Sequence, residues 1–105
     1  MIYTVTFNPA IDYVMEIDDF IVNSTNRSKK EKVLFGGKGI NVSCVLKELG
    51  EKSVALGFVA GFTGRELEKE LSDKGVITDF VYLDKGLTRI NVKLKGEGIT
   101  EINAN

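Results

Sequence analysis

The 105-residue sequence contains no histidine, one cysteine and one proline. Without histidine, His-based catalytic triads and zinc–histidine sites are impossible, and the commonest acid–base group near neutral pH is missing. Cys44 has no partner for an internal disulfide, which fits a reducing compartment. No apolar run approaches the roughly 20 residues of a membrane span. The start, Met1-Ile2-Tyr3-Thr4-Val5, lacks the basic and long apolar regions of a secretory signal. Neither charge sign dominates: 14 Lys and Arg stand against 15 Asp and Glu, a net charge of -1. A general electrostatic grip on nucleic acid is therefore excluded. The chain reads as soluble and cytoplasmic, with neither nucleic acid nor a membrane as partner.

What is present is an ordinary globular composition, 43% hydrophobic and 28% charged, which excludes disorder. Ile2 to Phe7 is a near-continuous β-branched and aromatic run, the pattern of a strand covered on both faces. From Asp12 to Asp18 residues alternate, with Tyr13, Met15 and Ile17 on an apolar face and Asp12, Val14 and Glu16 opposite. Asn23 to Lys32 reads as a polar loop into a short strand at Val33-Leu34-Phe35. Val42, Val45, Leu46 and Leu49 form one apolar helix face, and Gly50 is placed to close that helix. Cys44 falls within this apolar pattern and reads as core. Ser53 to Val59 is a buried-type strand. Thr63 and Glu66 match a capping box opening a helix that carries Leu67 and Leu71 and stops at Gly75. Val76 to Leu83 reads as a further strand.

Leu87 to Lys95 alternates, with Thr88, Ile90, Val92 and Leu94 against a wet face of Arg89, Asn91, Lys93 and Lys95. Gly96-Glu97-Gly98 turns the chain into Ile99 to Asn103, a hairpin. The order strand–helix–strand–helix–strand predicts a parallel α/β core, with amphipathic strands that do not belong in its middle. Two helices leave such an assembly under-covered, so the sequence reads as part of a longer one.

Gly36-Gly37-Lys38-Gly39-Ile40-Asn41 lies between a strand and a helix N-terminus, where backbone N–H groups, the helix dipole and Lys38 favour an anion. It is not a Walker A loop, since Lys32 stands where the first glycine belongs, and Gly39 replaces Ser or Thr. Val42 likewise spoils a dinucleotide fingerprint. Asp12, just past the first strand, can accept hydrogen bonds from sugar hydroxyls or merely solvate a turn. Arg89, Asn91 and Lys93 can clamp a phosphate or simply keep a strand face wet. Asp18-Asp19 and Glu66, Glu68 and Glu70 lack convergent metal-ligand spacing and read as surface.

Four segments in order carry a resemblance: Thr6-Phe7-Asn8-Pro9-Ala10-Ile11-Asp12, Gly36-Gly37-Lys38-Gly39-Ile40-Asn41-Val42-Ser43, Ala55-Leu56-Gly57-Phe58-Val59-Ala60-Gly61, and Thr88-Arg89-Ile90-Asn91-Val92-Lys93 with Thr100-Glu101-Ile102-Asn103. The whole chain resembles the amino-terminal part of the PfkB (ribokinase-like) sugar kinases. Within them it is most similar to the branch acting on fructose 1-phosphate, and next to that acting on tagatose 6-phosphate. The resemblance implies a partial Rossmann-like parallel sheet with a small β-sheet lid, built from segments at about 12–35 and 87–103, within one kinase domain spanning 1–105. It implies that Asp12 holds sugar hydroxyls, that Gly36, Gly37 and Asn41 line the sugar site, and that Lys38 and Arg89 meet the substrate's phosphate. It further implies ATP and Mg²⁺ as cofactors, a homodimer through the lid, and Arg27 reaching toward a neighbouring subunit's site.

The family's Gly-x-Gly-Asp motif, which carries its catalytic Asp and lies toward the carboxyl end with the nucleotide site, does not occur here. No residue is therefore assigned as catalytic, and Asp12 is not promoted into that role. The expected function is the substrate-side portion of a sugar-phosphate kinase. A non-catalytic sugar-phosphate-binding or dimerisation module is the alternative, and a kinase of unphosphorylated sugars fits Arg89 and Thr100-Glu101-Ile102-Asn103 less well.

Overall fold

The computed structural model describes residues 1–105. Seven strands and two helices follow in the order β1 (Ile2–Thr6), β2 (Ala10–Glu16), β3 (Lys30–Gly36), α1 (Lys38–Glu48), β4 (Ser53–Ala60), α2 (Gly61–Asp73), β5 (Ile77–Leu83), β6 (Arg89–Lys95) and β7 (Ile99–Ile102). They make two separate sheets. The first is all parallel, ordered β1-β4-β5; the second is mixed, ordered β3-β2-β6-β7. The architecture is α/β, with a parallel sheet carrying both helices and a four-stranded sheet standing apart.

The core lies between the parallel sheet and the helices, where Ile40, Ala55, Val59, Leu67, Leu71, Val76 and Phe80 cluster, with Phe35 and Cys44 packed against them. Leu67 and Leu71, four residues apart, put one stripe of α2 onto the sheet. Both helices end in Schellman caps. Gly50 and Gly75 adopt φ of 82° and 84°, and the N–H groups of Glu51 and Val76 reach back to the carbonyls of Leu46 and Leu71.

Several expectations need correction. β1 is not covered on both faces: Tyr3 and Val5 are exposed, because β1 is an edge strand and one face of the parallel sheet carries no helix. The stripe Val42, Val45 and Leu49 on α1 is also exposed. This helix meets the sheet through Ile40 and Ser43 instead. Ser43 tolerates burial because Thr4 and Ser53 hydroxyls hydrogen-bond its own at 2.7 and 2.9 Å. Helix α2 begins earlier than the capping-box pattern predicts: Ala60 is its N-cap, and Thr63 sits in the first turn donating to the Thr88 carbonyl at 2.7 Å. The strand expected from Asp12 begins at Ala10, and the presumed loop through Lys32 ends where β3 starts at Lys30. Val14, expected on a wet face, is buried, while Tyr13 opposite is half exposed.

The second sheet leaves the core along one row. Ala10 pairs with Gly36 on one side and with Arg89 on the other. All three chain crossings between the sheets occur at this row.

Candidate functional site

Directly paired residues project to the same face of a sheet, so the register defines a polar surface. Gly36, Ala10 and Arg89 form its first row, and Leu34, Asp12 and Asn91 its second. Lys32, Val14 and Lys93 form the third. The opposite face carries Ile11, Tyr13, Val33, Phe35, Ile90 and Val92, joined by Ile102 from β7.

The polar face of β6 is the better covered one, contrary to the expectation of a solvated face. Asn91 is 7% exposed, whereas Ile90 on the apolar side is 43% exposed. The Asn91 Nδ2 donates to Asp12 Oδ1 at 3.0 Å, and Lys93 Nζ lies 3.6 Å from Asp12 Oδ2. Lys93 also faces Glu101 at 3.9 Å. Asp12 thus has an amide donor on one carboxylate oxygen and an ammonium beside the other. Arg89 donates through Nη1 to the Ala104 carbonyl at 3.3 Å, while its Nε is buried without a partner. A guanidinium has five N–H donors, so most of this fork remains available.

Gly37 and Lys38 join this face to the core. The loop Gly36-Gly37 runs from the first row into α1, whose N-cap Gly37 has no side chain to offer. Thr6, at the end of β1, supplies the missing cap: its Oγ1 accepts the Ile40 N–H at 3.1 Å. Glycine is required here for space. A Cβ on Gly37 would strike the Thr6 side chain, and one on Gly39 would lie 2.6 Å from both Thr6 Oγ1 and the Val5 carbonyl. A Cβ on Gly36 would come within 3.6 Å of Asn41 Oδ1, which places Asn41 beside the first row. Lys38 is exposed at the start of α1 and makes no ion pair. Arg27 is exposed in the connection between β2 and β3, away from these rows.

The structure thus gathers Asp12, Gly36 and Arg89 on one face, with Gly37 and Asn41 at its root and Lys38 on the adjoining helix turn. Sequence reading missed Thr6 and left Asn91 and Lys93 as alternatives. Their parity with Arg89 shows in the alternation of β6; that Asp12 shares their face shows only once the strand is paired with β2.

This arrangement, a polar face of the second sheet meeting a glycine-rich helix start, coincides with a family match. The pfkB family of carbohydrate kinases matches residues 5–105. The chain belongs to that family. It is 52% identical over 103 residues to the 1-phosphofructokinase of Bacillus subtilis, covering 98% of this chain and 34% of that protein. It is 47% identical over 92 residues to the D-tagatose-1-phosphate kinase of Bacillus licheniformis, covering 88% and 30%. Among solved structures, phosphofructokinase-2 from Escherichia coli in complex with fructose-6-phosphate superposes with a TM-score of 0.82 at 27% identity, covering 99% of this chain and 34% of that one. The chain spans about a third of the length of these relatives. No three acidic, cysteine or histidine side chains converge on a metal position. Mg²⁺ therefore finds no cluster of carboxylate ligands within this chain. No helix is long and apolar enough to cross a membrane.

Proposed function

We propose that the chain is the sugar-phosphate-binding third of an ATP-dependent kinase that converts fructose 1-phosphate to fructose 1,6-bisphosphate in the cytoplasm. The observation that carries this reading is the polar face itself. The Asp12 carboxylate lies one strand position from Asn91 and two residues from the row of Gly36 and Arg89. Asp12 accepts hydrogen bonds from sugar hydroxyls. Gly36, Gly37 and Asn41 line the sugar, and their small or amide side chains let it approach the backbone. Arg89 and Lys38 meet the phosphate already on the substrate, the first as a planar fork and the second as a point charge beside a helix N-terminus. Arg89 makes one hydrogen bond, through Nη1 to the Ala104 carbonyl, and its other Nη donors support an anion at this place.

Relatives named for ketohexose 1-phosphates, at 52% and 47% identity, stand nearer than a tagatose-6-phosphate kinase from Staphylococcus epidermidis at 36%. This favours a phosphate on C1. Tagatose 1-phosphate, which differs from fructose 1-phosphate only at C4, is the second reading. When bound, ATP and Mg²⁺ supply the phosphoryl group and neutralise its charge in kinases of this chemistry. The lid's apolar face is assigned to a homodimer contact.

The test is ADP release by the full-length gene product with Mg²⁺ and ATP, comparing fructose 1-phosphate, tagatose 1-phosphate, tagatose 6-phosphate and free fructose. Fructose 1-phosphate is expected to give the highest kcat/KM, and the 105-residue chain alone to give none. Preference for free fructose or for a 6-phosphate overturns the reading.

A further inference from the structure

An asparagine in the middle of a strand is costly to bury unless both ends of its amide are bonded. Asn91 is buried in β6 and both ends are bonded. Its Nδ2 donates to Asp12 Oδ1 at 3.0 Å, and its Oδ1 accepts the Ala104 N–H at 3.2 Å. The two partners fix the amide's orientation, because a carboxylate only accepts and a peptide N–H only donates. Asp12 and Asn91 are direct cross-strand neighbours, so this bond joins adjacent strands at one register position. On the other side Lys93 faces Asp12 Oδ2 at 3.6 Å. Each carboxylate oxygen therefore spends one acceptor site on the protein and keeps another for a ligand.

We infer that Asn91 is a positioning residue, which holds the Asp12 carboxylate in one orientation toward the sugar and ties that orientation to the chain leaving β7 at Ala104. The inference rests on the reading that Asp12 binds sugar hydroxyls. Lys93 alone cannot fix the orientation: an ammonium is a point charge on a flexible stem and tolerates many carboxylate rotamers. The Asn91 amide sits on a rigid strand and offers one direction.

A double-mutant cycle in the full-length kinase tests this, with Asp12→Ala, Asn91→Leu and the pair measured for sugar-phosphate and ATP kinetics. Asn91→Leu removes both hydrogen bonds at similar volume. It is expected to lower kcat/KM for the sugar phosphate about 10-fold with the KM for ATP unchanged, and to add no more than about twofold once Asp12 is alanine. The smaller Asn91→Ser, too short to reach Asp12, is expected to show the same split and covers the case in which the leucine variant does not fold. Additive losses, or sugar and ATP constants falling together, overturn the inference while leaving Asp12 as a sugar ligand. An Asp12→Ala enzyme with unchanged kinetics overturns the Asp12 reading and the inference with it.

Discussion

Thr88 and Ala60 exchange two hydrogen bonds: the Thr88 N–H donates to the Ala60 carbonyl at 2.9 Å, and the Ala60 N–H donates to Thr88 Oγ1 at 3.0 Å. Thr88 is buried, so water cannot replace either partner. Thr88→Val keeps the shape and strands the Ala60 N–H, which should cost about 1–3 kcal/mol. Thr88→Ser keeps the hydroxyl and should retain most of that stability. Urea denaturation decides; a Val variant within 0.3 kcal/mol of the parent, roughly the precision of such comparisons, denies the bond any role.

Packing limits at Thr6 give a second expectation. A Cβ on Gly57 would collide with the Thr6 carbonyl, which is backbone of the neighbouring strand and cannot rotate away. Gly57→Ala should destabilise the fold by about 1–3 kcal/mol or prevent it. Gly98, in the β6–β7 turn, has open space around it, and Gly98→Ala should stay within about 0.5 kcal/mol. Equal thermal midpoints for the two variants would contradict the close approach.

Arg89 separates the proposed phosphate contact from a structural role. Losing a charge-assisted pair worth about 1.5–3 kcal/mol should lower kcat/KM for fructose 1-phosphate by about 10- to 150-fold in the full-length enzyme, with ATP affinity unchanged. Steady-state kinetics of Arg89→Ala at saturating ATP measure it. Unchanged kcat/KM removes Arg89 from the phosphate site.

The apolar face of the second sheet, with Val33, Ile90 and Ile102 exposed, should drive self-association. Sedimentation of the chain at micromolar concentration should find oligomers, and Val33→Lys with Ile102→Lys should shift them toward monomer. Oligomers indifferent to both lysines would place the contact elsewhere.

Tyr82 supplies a pH expectation. Burial, and then its hydrogen bond to Glu68 Oε1 at 2.8 Å, raise its phenol above the ordinary value of 10.0. A group whose folded pKa is raised stabilises the fold below its unfolded pKa, and that contribution is lost as pH rises through the folded value. The alkaline limb of the stability curve should therefore soften less in Tyr82→Phe than in the parent. The tyrosinate absorbance missing from the variant should titrate above 10.0. A missing component that titrates at or below that value would disprove the shift.

The parallel core was legible because its signals are local: the Leu67–Leu71 spacing, the glycines that end both helices, and the β-branched runs of β4 and β5. Which face of an element is covered was not. Periodicity assigns Val42, Val45 and Leu49 to one side of α1, but only the sheet's position shows that Ile40 and Ser43 are the inward pair. Asn91 was indistinguishable from a solvated strand residue until its cross-strand partner Asp12 was known, since 79 residues separate the two. Thr63 misled the reading of α2 because its hydroxyl serves a carbonyl 25 residues away instead of its own helix.

The row Gly36–Ala10–Arg89, where the second sheet meets its three connections to the core, has the geometry of a door hung on three collinear points. Strands about 5 Å apart give this row a length of about 10 Å, and attachment at three collinear points permits swinging about the row while resisting twist. If the second sheet is the proposed lid, residues on the axis would barely travel as it moved. Asp12 and Asn91, about 7 Å out from it, would sweep an arc, and Lys93 a wider one. On the proposed reading, the grip on the phosphate is set while the door stands open, and the sugar hydroxyls meet Asp12 only as it shuts.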